Sequence, residues 1–575
     1  MTVHPNGDAD ELQSALQQRA DYIPIEDLSR ETSTDGDLFQ KVSKELSNRG
    51  LRTIVGPRGC GKTHMMRYAW LQCRESATKP FAVFVSFNRY FRLEPLLSSQ
   101  AGALEQFHSW VLARIALAVL DSGKEWTPPL SLALPGDLTA ESLQKFVSRV
   151  ERSQPPNENS TLVSETLSLV ALQRLTTAAR ESAGRKFTVL LMDDAALTLT
   201  PDYLVEFLDI VRSLKSTDLA PKASVYPGTT EMSPKFHQGQ DSIAIPVWMG
   251  IEDPHYQTVM DGIAQTRIRD FAGLNADVKG MLRFAAFGVP RAFLTMLDEF
   301  QRGDFSTNQQ AISRIIQAHL DARRAEFRSL GMKVPKLSSL VAAGESVIDG
   351  MAKEIKAYNQ TLALRGEKQL TYGVAESEIT AIVGRMFSLL IEAGLLYDYG
   401  TVKHGTPERI YRRYIPHSAV LLTIRAIGGG IAGGTLRQTL EAIAQRSTKH
   451  PVRKSLKTAV PEVALESLSL SLPKCVSCGT SRVTDNQRFC HNCGQQLVDA
   501  STFGTCLDTL IDDVPGLSEF QRSKIRQHLP AYRTLRDFLA KQDPAADLLT
   551  VRGFGHQRTA KIVDVLNGFV DDYLS

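Results

Sequence analysis

The chain is short of net charge. Its 66 lysines and arginines are nearly matched by 63 aspartates and glutamates, leaving +3 over 575 residues. That balance excludes a protein that coats polyanions with its whole surface, so any nucleic-acid contact must come from local patches and oriented backbone amides. Also missing are an apolar run long enough to cross a bilayer and a charged-then-apolar leader after Met1. A cytoplasmic protein without a membrane partner is therefore expected. Cysteine is scarce, at seven, and Cys60, Cys73 and Cys506 stand alone as packed thiols. No nuclease constellation is present in the sequence. What is there is a 43% hydrophobic fraction, enough for real cores, and a length that allows three to five domains.

An apolar strand signal at 51–55 runs directly into Gly56-Pro57-Arg58-Gly59-Cys60-Gly61-Lys62-Thr63, with His64 leading into a helix-compatible segment. With serine or threonine allowed at the last position, the pattern G-x-x-x-x-G-K-[S/T] should arise by chance roughly 0.02 times in such a chain. Glycines let backbone N–H groups approach a triphosphate, Lys62 can reach the β and γ phosphates, and the Thr63 hydroxyl can ligate Mg²⁺. ATP and Mg²⁺ are the expected cofactors.

Four cysteines form two C-x-x-C knuckles, Cys475/Cys478 and Cys490/Cys493, each followed by glycine. Two such turns complete a tetrahedral thiolate site for Zn²⁺, which would supply most of the folding free energy of so small a segment. His491 is an alternative ligand that four thiolates make unnecessary.

Further on, an internal repeat, Val514-Pro-Gly516-Leu-Ser518 and Val551-Arg-Gly553-Phe-Gly555, fits helix, tight hairpin, helix. It resembles the tandem helix-hairpin-helix module of DNA-repair and junction-processing proteins. The resemblance implies that Gly553 and Gly555 present backbone amides to a DNA phosphate, with Arg558 and Lys561 adding charge. Ser518 replaces the second glycine of the first copy, which puts that contact in doubt. A small helical protein-interaction domain is the alternative.

Between these ends strands and helices alternate. Segments 79–87 and 187–192 read as buried strands, 161–182 as one helix, and 223–226 and 242–245 as two further strands of a parallel, doubly wound sheet. The second buried strand delivers Asp193 and Asp194, placed to hold the Mg²⁺ shell and to orient a water. A helix-capping pair is the plainer alternative. The order of motifs resembles the AAA+ ATPases, and within them the replication-initiator group typified by the origin-recognition complex. That resemblance, over about 30–420, implies that Thr229 or Thr230 senses the γ-phosphate. It also implies that Arg267 is an arginine finger pointing into a neighbouring subunit and that Arg291, in Gly288-Val-Pro-Arg291, is a lid arginine. Asp-Asp in place of the usual Asp-Glu implies slow turnover.

Beyond the lid, 374–396 reads as two helices followed by a polar return, a winged-helix pattern whose Lys403, His404, Arg409, Arg412 and Arg413 are candidates for DNA backbone contact. Gly-rich 425–434 reads as a hinge and basic 446–457 as a connector. Segments 127–130 and 153–160 read as parts of a surface insertion, and nothing before Phe39 carries chemistry. The expected fold is α/β, a doubly wound parallel-sheet P-loop ATPase core with helical lid, winged helix, small zinc ribbon and all-α tandem helix-hairpin-helix tail. Its expected divisions are an N-terminal extension (1–38), core (39–250), lid (251–335), winged helix (336–424), linker (425–470), zinc ribbon (471–500) and tail (501–575). The function expected is an ATPase that engages DNA under nucleotide control and forms a homo-oligomer through ATP interfaces. The rival is a signalling or scaffold ATPase, of the kind that serves bacterial antiviral defence, that acts on a protein effector without touching DNA.

Overall fold

The computed structural model describes residues 20–573 except 21–22, 35, 100–101, 124–125, 127–128, 153, 195–200, 234, 238, 406–408, 429–434, 461–464, 466–467, 469–473, 484–486, 488, 496, 498–501 and 542. Most of the expected hinge at 425–434, half of 127–130 and parts of the zinc segment thus lie outside the described residues.

After a single helical turn at Ile25–Leu28, α1 (Asp37–Leu46) precedes β1 (Arg52–Val55), α2 (Lys62–Glu75) and β2 (Phe81–Ser86). Then come α3 (Ala103–Ser122), α4 (Ala140–Glu151), α5 (Glu158–Thr166), α6 (Leu169–Ser182), β3 (Thr188–Asp193), α7 (Pro201–Leu214), β4 (Leu219–Val225) and β5 (Ile243–Pro246). The five strands form one sheet in the order β2-β3-β4-β1-β5, and every pair is parallel. All six positions of β3 are buried, as a central strand covered on both faces requires. Its pleat divides the core. Val189 and Leu191 join the cluster that holds Met66 and Ala69 of α2, whereas Leu190 and Met192 join the one that holds Phe107 and Trp110 of α3.

Two expectations about helices need correction here. Segment 161–182 is two helices, because Ser168 turns its side chain onto the Ala171 N–H and caps a new helix. By length and composition α3 could cross a membrane, contrary to the reading of the sequence, yet it is a core helix with Phe107, Trp110 and Val111 fully buried.

The lid follows as α8 (Tyr256–Arg267), α9 (Ala276–Ala285) and α10 (Pro290–Arg302), and the long α11 (Asn308–Lys333) packs against α12 (Ser338–Leu362). Next are β6 (Glu367–Lys368), β7 (Tyr372–Ala375), α13 (Ala381–Glu392), and the antiparallel hairpin β8 (Leu396–His404) and β9 (Arg409–Pro416). The first of the two helices expected from 374 is thus strand β7, paired with β9. Its Tyr372 and Val374 are fully buried, and Thr380 caps the one helix that follows.

The expected linker is also folded. After α14 (Ser418–Thr423) come α15 (Leu436–Ile443), β10 (Arg446–Ser447), β11 (Val452–Arg453) and α16 (Leu456–Ala459). β10 pairs with β6, and β11 extends the second sheet to β11-β7-β9-β8. α15 lies against α9 and α16 against α12. A Cβ on Gly350 would sit 1.6 Å from the Ala459 carbonyl oxygen, so α12 and α16 touch backbone to backbone. Two basic residues in this stretch are paired internally, Lys454 to Glu354 and Arg437 to Glu441.

The tail consists of α17 (Thr502–Leu507), α18 (Glu519–His528), α19 (Leu535–Ala540), α20 (Pro544–Leu549) and α21 (His556–Asp572). It shares the apolar cluster on the α3 face of the sheet. The Phe503 N–H donates to Glu94 (2.6 Å), and Lys333 of α11 stands over the Tyr573 ring (5.2 Å).

Candidate functional site

The loop between β1 and α2 wraps around its own lysine. Gly59 and Gly61 adopt φ of 86° and 85°, and a Cβ on Gly59 would lie 2.8 Å from Val289, so the loop is pressed directly against the lid. Lys62 Nζ donates to the carbonyls of Gly56 (2.6 Å) and Pro57 (3.0 Å) and stands 4.7 Å above the Tyr226 ring. Burial pulls its pKa down, and Cys60, Asp193 and Asp194 pull it back up. Thr63 follows in the first turn of α2, where an anion meets the positive end of the helix dipole.

Asp193 arrives at the end of β3 with 1% of its surface exposed. Ser224, on the adjacent strand β4, donates to Asp193 Oδ1 (2.7 Å) and accepts the Asp194 N–H (3.0 Å). Asp194 takes a left-handed φ of 52°, and its carboxylate accepts from Ser86 (3.2 Å). One serine therefore fixes both acidic residues. Beyond β4, Thr229 and Thr230 are both buried, and Thr229 Oγ1 has no hydrogen-bond partner. An orphaned buried hydroxyl is costly unless a ligand completes it.

Arg291 opens α10 from above, and its backbone N–H donates to the Gly59 carbonyl (3.4 Å). Gly288, at φ 79°, makes that approach feasible, since a Cβ there would lie 2.1 Å from the Met249 carbonyl oxygen. Between loop and lid lies a cavity of about 390 Å³ walled by Met65, Val247, Met260 and Leu294. Its size and apolar walls suit a nucleobase.

The N-terminal segment closes that cavity, contrary to the expectation that nothing before Phe39 carries chemistry. Thr32 Oγ1 lies 2.8 Å from His64 Nε2, and the His64 pKa falls to about 4 because burial, then Arg267 and Arg67, oppose its charge. Arg267 is turned inward onto Glu31 (2.9 Å), 12% exposed, and lines the same cavity. It is a wall of this chain's own pocket. Arg58 reaches Glu326 of α11 (3.9 Å).

The fold is that of a P-loop ATPase. One strand, β4, separates the strand that feeds the phosphate loop from the strand that carries the acidic pair. No protein-family profile and no curated protein matches the chain. Among solved structures it is similar to a Walker-type ATPase of Pyrococcus abyssi, at 13% identity over 68% of this chain and 96% of that one, with a TM-score of 0.36. It is also similar to the ORC1 protein of Aeropyrum pernix, solved in complex with DNA, at 14% identity over 72% and 95% of the two chains, with a TM-score of 0.32. The assignment of the core rests on its own strand order and loop geometry.

These residues fit a magnesium nucleotide. Loop amides and Lys62 would hold the phosphates, Thr63 and Asp193 would hold the metal, and the latter would shield phosphate charge.

A separate centre lies at the cysteines. The four sulfurs are all within 4.8 Å of one another, with Cys475 and Cys493, and Cys478 and Cys490, each 3.5 Å apart. The two knuckles match. Each first cysteine accepts the N–H of Gly479 or Gly494, both at positive φ, and donates its own N–H to the residue beyond. This spacing is compatible with a tetrahedral zinc, and His491 is instead engaged with Gln487 (3.3 Å).

The basic candidates are dispersed and partly occupied. Lys403 and Arg409 lie on the β8–β9 hairpin, one step apart in register. Arg412 grips Asp398 (2.5 Å), and Arg413 lies over Tyr399 (4.7 Å). In the tail, Gly553 takes φ 102°, and Gly555 opens α21 with nothing near its missing side chain. Arg558 donates back to the Gly553 carbonyl (2.5 Å) and covers Phe520, while Lys561 is exposed. Ser518, the departure from glycine, caps α18 through a capping box with Gln521.

Proposed function

We propose that this chain is a slowly hydrolysing ATPase that grips DNA according to its nucleotide state. One observation carries the reading: the phosphate loop at Gly59 to Gly61 and lid residue Arg291 wall one cavity together with Thr32 of the N-terminal segment, and the charges of Asp193 and Asp194 act on the loop lysine, Lys62. Zn²⁺ would hold the cysteine centre in a structural role. DNA would be met through backbone phosphates by the Lys403/Arg409 hairpin and by the amides and charges around Gly553, Gly555 and Lys561. Self-association through the nucleotide face, with Arg267 as the candidate finger, is part of the proposal. Calorimetry with magnesium ATP, paired with a salt-titrated DNA shift assay, tests both halves. Binding lost in Lys62→Ala and a steep loss of DNA affinity between low and physiological salt support them.

A second reading, a switch that acts on a protein effector, is favoured by Arg412 and Arg558 being spent on internal partners. Nucleotide binding without any salt-dependent DNA binding selects it.

A further inference from the structure

α13, in the winged-helix segment, covers the phosphate end of the site. Ser388 Oγ stands 3.6 Å from where a Cβ on Gly228 would sit, immediately before the Thr229 turn. Just past the other end of the helix, the Cβ position of Gly394 is 3.8 Å from Pro57 of the phosphate loop. Arg385, Ser388 and Glu392 are spaced i, i+3 and i+7, so they share the face that Ser388 turns to the core. Arg385 Nη1 and Glu392 Oε1 are 3.5 Å apart, with 23% and 12% of their side chains exposed. The Tyr226 hydroxyl, on the ring beneath Lys62, is pushed above its usual pKa by burial first, against the pull of Arg58, with Asp194 and then Glu392 adding to the push. Glu392 therefore acts on the same small volume as the acidic pair and the loop lysine.

A guanidinium held by a carboxylate at this end has an obvious competitor. The terminal phosphate of a nucleoside triphosphate carries more charge than a carboxylate and accepts the same bidentate hydrogen bonds. A diphosphate ends one phosphate short and offers no such group. We propose that Arg385 is a ligand for the γ-phosphate, supplied by the winged-helix segment of the same chain and held by Glu392 until a triphosphate takes it. The inference rests on the nucleotide reading above and adds to it the part that distinguishes triphosphate from diphosphate. Exchange of partners by Arg385 would shift α13 against the core, and β8, which follows α13 in the chain, would move with it. Nucleotide state thereby reaches the hairpin that carries Lys403 and Arg409.

The test is calorimetry on the full chain with a non-hydrolysable ATP analogue and with ADP, each with Mg²⁺. Arg385→Ala should weaken the analogue about tenfold or more, the scale of a lost charged hydrogen bond, and leave ADP within about twofold. Glu392→Gln, which removes the competing carboxylate charge from the guanidinium, should tighten the analogue and leave ADP unchanged, and it serves if Arg385→Ala does not fold. Equal weakening of both nucleotides by Arg385→Ala, no weakening of either, or an unaltered analogue affinity in Glu392→Gln overturns the proposal. Lys62→Ala is the separate control. If it binds both nucleotides like the parent chain, the underlying site assignment fails, whatever Arg385 does.

Discussion

Ser224 shows how much one hydroxyl can fix. It bonds the Asp193 carboxylate and the Asp194 N–H, so Ser224→Ala should leave a buried carboxylate short of a donor and cost about 1–3 kcal/mol of stability. Thermal unfolding would show that loss, and hydrolysis should fall further than nucleotide affinity, because the metal side is disordered while the loop is untouched. Histidines supply a second test. His64 and His319 have pKa values held down to about 4 by burial, with neighbouring arginines adding to it, and buried His417 is shifted the same way. The unfolded chain takes up these protons near pH 6.5 and the folded chain does not, so their share of stability is complete above about pH 6.5. It is lost as pH falls toward 4. Unfolding followed across that range should show a steep decline that His64→Gln makes shallower, and a flat profile in the parent chain would contradict the burial described here.

At the scale of elements, the phosphate loop, β3 with its carboxylates and the cysteine knuckles were legible in the sequence because their chemistry is local. A loop needs its glycines at fixed spacing and a knuckle needs its two thiols. What could not be read depends on contacts distant in the chain. Residues 446–457 look like a basic connector, yet two-residue strands within them pair with β6 and β7, and only the close approach at Gly350 shows how tightly the segment is held. Strand β7 resembled a helix because a short apolar run has no decisive period. Arg267 and Thr32 gained their meaning from Glu31 and His64, partners that sequence spacing does not reveal. Gly350→Val should separate α16 from α12, so that proteolysis opens the chain between 425 and 460 with a loss of about 1–3 kcal/mol or more. Resistance equal to that of the parent chain would show the contact to be dispensable.

For the whole molecule, the sheet keeps two cores apart. The helices and strands from 256 to 423 and the segment 435–460 enlarge one, and the tail enlarges the other. The cysteine centre stands outside both, so a chelator should unfold 474–495 while nucleotide binding persists. Loss of nucleotide binding on chelation would tie the metal to the core. The tail shares apolar surface with the core, so removal of 501–575 should lower both solubility and the salt slope of any DNA binding.

The central claim is that one magnesium nucleotide joins the phosphate loop, the N-terminal segment and the lid. Hydrogen–deuterium exchange with and without magnesium ATP tests it most directly. Amides at 56–64, 30–34 and 288–294 should gain protection together, and all three gains should vanish in Lys62→Ala. Exchange that is unchanged at 56–64, or protection there with none at the other two segments, would contradict the account.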